Sequence, residues 1–204
     1  MKHKKINGPQ SPAVEGAKNP RASSINNSSM YIATYNVRSL SSEERLLELE
    51  EELKEIKWDV IGLAETRRRR EYIKKLESGN ILLTKGKNDK CQSGVGFLIN
   101  KALSNNVVEF KSVSDRSAFI IIKINKKYSV KIIQVYAPTT AHEDKEVEEM
   151  YDELSEIADN KTTHYTIVMG DFNAKIGTRN QGEEEIMGKF GFGTRNERGQ
   201  RLIE

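Results

Sequence analysis

Seven short apolar runs rich in β-branched and aromatic residues, set among only two stretches of helical spacing, constrain what this chain can fold into. The runs are Tyr31–Val37, Asp59–Ala64, Ile81–Thr84, Gly94–Ile99, Ala118–Ile124, Val130–Tyr136 and Tyr165–Met169. Each has the length and composition of a strand, and the first two and the last read as buried ones. One helix is predicted behind the capping box Ser41-x-x-Glu44, with Leu46, Leu49, Leu53 and Ile56 along one face. A second is predicted where Val147, Met150, Tyr151, Leu154 and Ile157 recur at helical spacing. Asn125-Lys126-Lys127 between two runs suits a tight hairpin turn. The pattern predicts an α/β domain of packed sheets with helices outside, and the hairpin argues against a purely parallel sheet.

The 204 residues suffice for one sizeable core. Residues 1–29 carry Pro9, Pro12 and Pro20 and almost no large apolar side chain, so they read as a disordered leader ahead of a single domain at 30–204. The leader holds Lys2, Lys4, Lys5, Lys18 and Arg21 against Glu15, a net +4. The remaining 175 residues hold 28 basic and 29 acidic side chains, so a polyanion site in the folded part must be local. No apolar run reaches the ~20 residues of a membrane helix, and no apolar stretch follows the N-terminal lysines, which argues against a secretory signal. Cys91 is the only cysteine, which excludes an internal disulfide and fits an intracellular, reducing setting.

Three of the runs carry polar residues at their ends: Asn36 at the end of the first, Glu65 at the end of the second, and Asp171 with Asn173 at the end of the last. Such residues are most often turn formers or caps. Their other reading is chemical. A hard cation such as Mg²⁺ takes oxygen ligands, one or two carboxylates completed by water and substrate phosphate, and a carboxylate kept off the metal can take a proton from an attacking water. Gly170-Asp171-Phe172-Asn173 carries the stronger signal, because two polar groups flank an apolar anchor. Tyr136 reads equally as a core aromatic, and Arg67–Arg70 as a solvated helix face or a phosphate clamp. His142 and His164 receive no role. The pairs Gly94-x-Gly96 and Gly191-x-Gly193 lack the setting of a dinucleotide fingerprint, and no phosphate loop or Gly-x-Ser-x-Gly elbow occurs. No nucleotide cofactor is expected. The polar, glycine-rich stretch Lys175–Asn196 reads as a long loop, functional or disordered.

Five phrases occur together and in order: Thr34-Tyr35-Asn36-Val37-Arg38-Ser39-Leu40, Leu63-Ala64-Glu65-Thr66, Ser93-Gly94-Val95-Gly96-Phe97, Val135-Tyr136-Ala137-Pro138 and Gly170-Asp171-Phe172-Asn173-Ala174. Together they resemble the endonuclease/exonuclease/phosphatase superfamily, which includes deoxyribonuclease I and the exonuclease III-like abasic-site nucleases. The wording is nearest to endonuclease domains of non-LTR retrotransposons and their host relatives, the craniofacial development protein two-like chains. Asn196-x-x-Gly199-x-x-Leu202 resembles the helix that follows the long loop in that group.

The resemblance implies a four-layer α/β sandwich, deoxyribonuclease I-like, with its active site at one edge of two packed sheets. It implies metal-dependent hydrolysis of a phosphodiester, with Mg²⁺ or Mn²⁺ as cofactor, DNA as partner, no membrane association and a nuclear location. By position, Glu65 would be the principal metal ligand with Asn36 beside it. Asp171 would orient or deprotonate the attacking water, and Asn173 would hold it in register. Tyr136 would contact the phosphate, and Arg116 matches a basic, substrate-binding position. Members of the superfamily continue with further strands, additional aspartates and an Asp-His pair beyond the point corresponding to Glu204. The chain is therefore expected to lack its C-terminal strands and to be impaired. A lipid or inositol phosphatase of the same superfamily and a non-catalytic remnant remain as alternatives.

Overall fold

A computed structural model describes residues 29–68, 72–85, 93–160 and 162–204. The expected leader (Ser29 apart), Arg69, Arg70 and Cys91 lie outside the described residues. The elements are β1 (Ile32–Asn36), α1 (Glu43–Glu52), β2 (Val60–Ala64), β3 (Tyr72–Lys75), β4 (Ile81–Lys85), β5 (Val95–Ile99), β6 (Val107–Ser112), β7 (Ser117–Lys123), β8 (Ser129–Tyr136), α2 (Asp144–Asp159), β9 (Tyr165–Asp171) and α3 (Glu197–Ile203). Five strands form one sheet in the order β1-β2-β5-β4-β3, and four form a second in the order β6-β7-β8-β9.

Side chains alternate across each strand, and the alternation builds four layers. Val60, Phe97 and Ile99 from the first sheet meet Ala118, Ile120, Ile122, Val130 and Ile132 from the second between the sheets. The opposite faces of the same strands carry the outer layers. Ile61, Leu63, Leu82 and Leu98 receive Leu46 and Leu49 of α1. Phe119, Ile121, Ile133 and Val135 receive Met150, Leu154 and Ile157 of α2. Lys131 points to this outer layer while almost fully buried, and its Nζ donates to the carbonyls of Ile157 and Asn160, each at 2.7 Å. A cation there suits the negative end of α2. Burial drives its pKa down.

Each sheet contains one parallel pair, β1 with β2 and β8 with β9, and each pair is bridged by a helix. Both crossovers carry the carboxyl ends of these four strands to the same end of the sandwich.

Several expectations need correction. The cap of α1 is Ser42, whose Oγ accepts from the Arg45 N–H at 3.4 Å, while Ser41 turns to Ser39. The helix ends before Ile56, which is exposed. β3 and β6 were not legible as strands because each borders its sheet and mixes charged with apolar residues. β1 and β9, read as buried, are also border strands, and Tyr35 (49% exposed) and Tyr165 (54%) face outward. Arg67 lies on a turn and not on a helix.

Candidate active site

The polar strand ends meet. Asn36 at the end of β1 donates through its Nδ2 to Glu65 Oε1 at 2.7 Å and to Asp171 Oδ2 at 3.0 Å, joining residues from β1, the end of β2 and β9. Its own Oδ1 accepts the Arg38 N–H at 3.0 Å, which fixes the amide in that orientation. The Glu65 carboxylate is also bound on its other oxygen, where Arg67 Nη2 donates to Oε2 at 2.9 Å. The turn that carries Glu65 and Arg67 is pinned by backbone bonds from Thr66 to Gly94 and from Arg67 to Ser93, at 3.0 and 3.1 Å.

Asp171 is held from the other side. Its Oδ1 accepts the Asn173 N–H at 3.0 Å, and its carbonyl accepts the Ala137 N–H at 2.8 Å. Asn173 Nδ2 donates to the Ala137 carbonyl at 2.7 Å, tying the turn after β9 to the one after β8. Gly170 makes this approach possible. Its φ is +148°, and a Cβ there would fall 2.0 Å from the Val135 carbonyl oxygen. Tyr136 is thereby paired with Asp171 in the parallel register.

The electrostatics follow from the packing. Burial pushes the Glu65 carboxyl up, but hydrogen bonds from Asn36 and Arg67, the Arg67 charge and the Tyr136 hydroxyl outweigh it and hold the group below its ordinary value. Burial raises the Tyr136 phenol, and the Glu65 and Asp171 charges raise it further, while Arg116 opposes them. Tyr136 is therefore a proton donor at neutral pH. Arg116 lies beside it, with its carbonyl accepting the Tyr136 N–H at 2.8 Å. Its guanidinium also reaches Glu146 Oε2 at 3.4 Å.

Four non-glycine residues in the described chain have a left-handed backbone: Arg38, Glu65, Arg67 and Asn173, at φ between 48° and 55°. All four belong to these turns. Such conformations cost of order 1–3 kcal/mol each and persist where surrounding structure enforces them, commonly at functional sites. Arg38 was not legible as a site residue, and Arg67 was legible only as one of a run read as a helix face or a phosphate clamp, not as the partner of Glu65. Arg38 follows Asn36 by two residues, but its charge reads as an ordinary surface arginine, and Arg67 was hidden in a run of four arginines.

The donor set suits a hard divalent cation. It offers a depressed carboxylate beside a second carboxylate, both held on the Asn36 amide, a small set of the kind that Mg²⁺ completes with water and phosphate. No cluster of three or more acidic, histidine or cysteine ligands occurs among the described residues.

A model of the endonuclease/exonuclease/phosphatase family matches residues 33–194. The chain belongs to this family. Craniofacial development protein 2 from Bos taurus is 31% identical over 175 residues, and that from Tragulus javanicus 30%. These matches cover 85% of the chain but only 28% and 29% of those proteins, so the chain spans less than a third of the relatives' length. Among solved structures, the 3′ phosphatase NExo from Neisseria, bound to a product DNA hairpin, superposes with a TM-score of 0.52 at 18% identity, over 73% of this chain and 60% of that one. The AP endonuclease LMAP from Leishmania major gives 0.52 at 13% identity, over 83% and 63%. The shared fold is the deoxyribonuclease I-like sandwich expected for the family, and no described helix is long and apolar enough to cross a membrane.

Proposed function

We propose that this site hydrolyses a phosphodiester of DNA, as an endonuclease domain of retrotransposon type working with Mg²⁺ or Mn²⁺. The observation that carries the reading is the bridge from Asn36 to both Glu65 and Asp171, which gathers two carboxylates on one neutral amide.

Glu65, with Asn36 alongside, would hold the cation, which when bound supplies positive charge against the developing charge on the leaving oxygen. Asp171 accepts the proton of the attacking water. Its two oxygens are oriented by Asn36 and the Asn173 N–H, so the carboxylate needs no rearrangement as the water oxygen bonds to phosphorus. The bond from phosphorus to the leaving oxygen breaks, and that oxygen takes a proton from solvent. Tyr136, kept protonated by its surroundings, donates to a phosphate oxygen, and Arg116 adds charge beside it. The cluster holds no histidine, so turnover by these residues alone is slow. A nuclear location and DNA as partner rest on this reading.

The test is nicking of supercoiled plasmid in Mg²⁺ and in chelator, by the native chain and by Asp171→Asn. Slow nicking that needs the metal and falls by about 10²–10⁴-fold in the variant is expected, the loss typical of a general base. Equal nicking by both proteins removes Asp171 from its role, and no nicking at any metal concentration overturns the reading for this chain.

A further inference from the structure

The long stretch after Asn173 is a built loop. Arg195 forks onto Glu183, with Nη1 to Oε1 at 2.6 Å and Nη2 to Oε2 at 2.7 Å, while its Nε donates to the Ile176 carbonyl at 2.8 Å. Met187 is buried beneath this clamp. At the loop base, the Asn196 N–H donates to the Lys175 carbonyl, and Asn196 Oδ1 accepts the Lys175 N–H, both at 3.0 Å.

Against that order, the loop exposes two phenylalanines almost completely. Phe190 is 87% and Phe192 95% exposed, on either side of Gly191. Isolated apolar side chains on a surface are ordinary. Two nearly naked rings one residue apart, held out by a clamped loop, are not explained by packing. Lys189 adds a cation, its Nζ 5.1 Å from the Phe190 ring centre.

Their position is the second observation. A Cβ on Gly191 would fall 2.1 Å from the Gly177 carbonyl oxygen, so the segment between the rings rests directly on Gly177. Gly177 is four residues beyond Asn173, a reach of no more than about 14 Å at full extension. The rings are therefore anchored within a few nucleotides of the proposed phosphodiester site.

We infer that Phe190 and Phe192 form a base-stacking pair that holds DNA bases flanking the cleaved bond. Every base presents a π-face, and aromatic side chains beside a cationic group bind bases without reading their sequence. The inference deepens the DNA reading of the site and rests on it. It assigns to the loop a part in gripping substrate that phosphate contacts alone do not supply.

Binding of a fluorescein-labelled DNA oligonucleotide, as a duplex and as its single strand, is measured by anisotropy for the native chain, Phe190→Ala/Phe192→Ala and Phe190→Trp/Phe192→Trp. The alanine pair is expected to weaken binding by roughly tenfold or more, and the tryptophan pair to keep it. The salt dependence should stay unchanged, because phosphate contacts are untouched. Both variants should melt with the native chain, since the rings contact little of the core. Native affinity in the alanine pair overturns the inference and leaves the DNA reading standing. The same result accompanied by loss of native self-association assigns the rings to a protein contact, and also overturns it. No DNA binding by the native chain overturns the inference and the substrate reading together.

Discussion

The two ends of the sandwich both terminate strands in polar residues, yet they use them differently. At the far end, Asp59 precedes β2, Asn80 precedes β4 and Asn100 follows β5. Asp59 accepts the Tyr31 N–H at 2.8 Å, Asn80 Oδ1 the Lys101 N–H at 3.0 Å, and Asn100 the Ala102 N–H at 3.0 Å. Asp59 and Asn100 are spent on nearby backbone, and Asn80 divides itself between backbone and the Glu50 carboxylate, to which its Nδ2 donates at 3.0 Å. At the site end, Asn36, Glu65 and Asp171 are spent on one another. The far end turns through Gly79, at φ +89°, where the site end places arginine, glutamate and asparagine in left-handed backbone. On the proposed reading, what marks a strand-terminal polar residue as a site residue is what it faces and not where it stands.

The same substitution at the two ends should separate them most. Asp171→Asn removes the proposed base and should cost about 10²–10⁴-fold in nicking. Asp59→Asn keeps an oxygen that can accept the Tyr31 N–H and should leave nicking unchanged. A comparable loss in both would mean that the ends are not distinct.

Glu65→Gln keeps shape and removes charge. The metal concentration needed for half-saturation, measured by calorimetry without DNA, should rise by at least the 10–100-fold that loss of a supporting group costs a metal site. Unchanged metal binding would move the cation to other ligands, and it would do so whether or not the chain cuts DNA.

Much of the site end was legible in the sequence: Asn36, Glu65, Asp171 and Asn173 stand at the ends of strongly apolar runs, while Tyr136 drew its role from the resemblance to the family. The packed sheets and outer helices were legible for the same reason: β2 is apolar throughout, β7 and β8 are mostly apolar and β-branched, and α2 repeats at helical spacing. The edges were not. β3 and β6 alternate too weakly to be read, and the exposure of β1 and β9 depends on what lies beside them, which composition does not encode. Arg67 was hidden because its role comes from a left-handed turn that places its guanidinium on Glu65, and a run of arginines gives no sign of that. The clamped loop was visible only as polar, glycine-rich sequence. Its order comes from the Arg195–Glu183 pair, whose partners are 12 residues apart.

That pair gives a pH-dependent contrast within the site end. The Glu183 carboxyl is held at about 2, chiefly by its hydrogen bonds from Arg195 and the Asn180 N–H, against an ordinary 4.5. A depressed carboxyl stabilises the folded loop fully above its unfolded value, and that stabilisation is lost as pH falls from about 4.5 towards 2. Hydrogen exchange at the Met187 amide, which donates to the Glu183 carbonyl at 2.9 Å, should accelerate over that window beyond the intrinsic trend. Glu183→Gln should exchange faster at neutral pH and lose the acid-dependent step. Identical profiles for the two proteins would show that the loop is ordered by Met187 and its glycines alone.

The smallest effect is expected at the far end, from Asn100→Ala. Asn100 caps the turn of Lys101–Asn106 through its Oδ1, and its Nδ2 donates to the Trp58 carbonyl at 3.2 Å. Loss of such a cap costs about 1 kcal/mol, and a carbonyl left short of a donor adds a similar amount. For a chain of this size each kcal/mol lowers the melting temperature by roughly 2–4 °C, so a drop of several degrees is expected. Nicking below the transition should not change, because no group of Asn100 reaches the site end. Asn36→Ala removes the same amide from the other end, and there the order should invert. Two carboxylates lose the donor between them, so their repulsion falls on the site and nicking falls further than stability. If Asn100→Ala instead slows nicking while the melting temperature holds, the sheets transmit strain along their length, and the contrast between the two ends is one of degree.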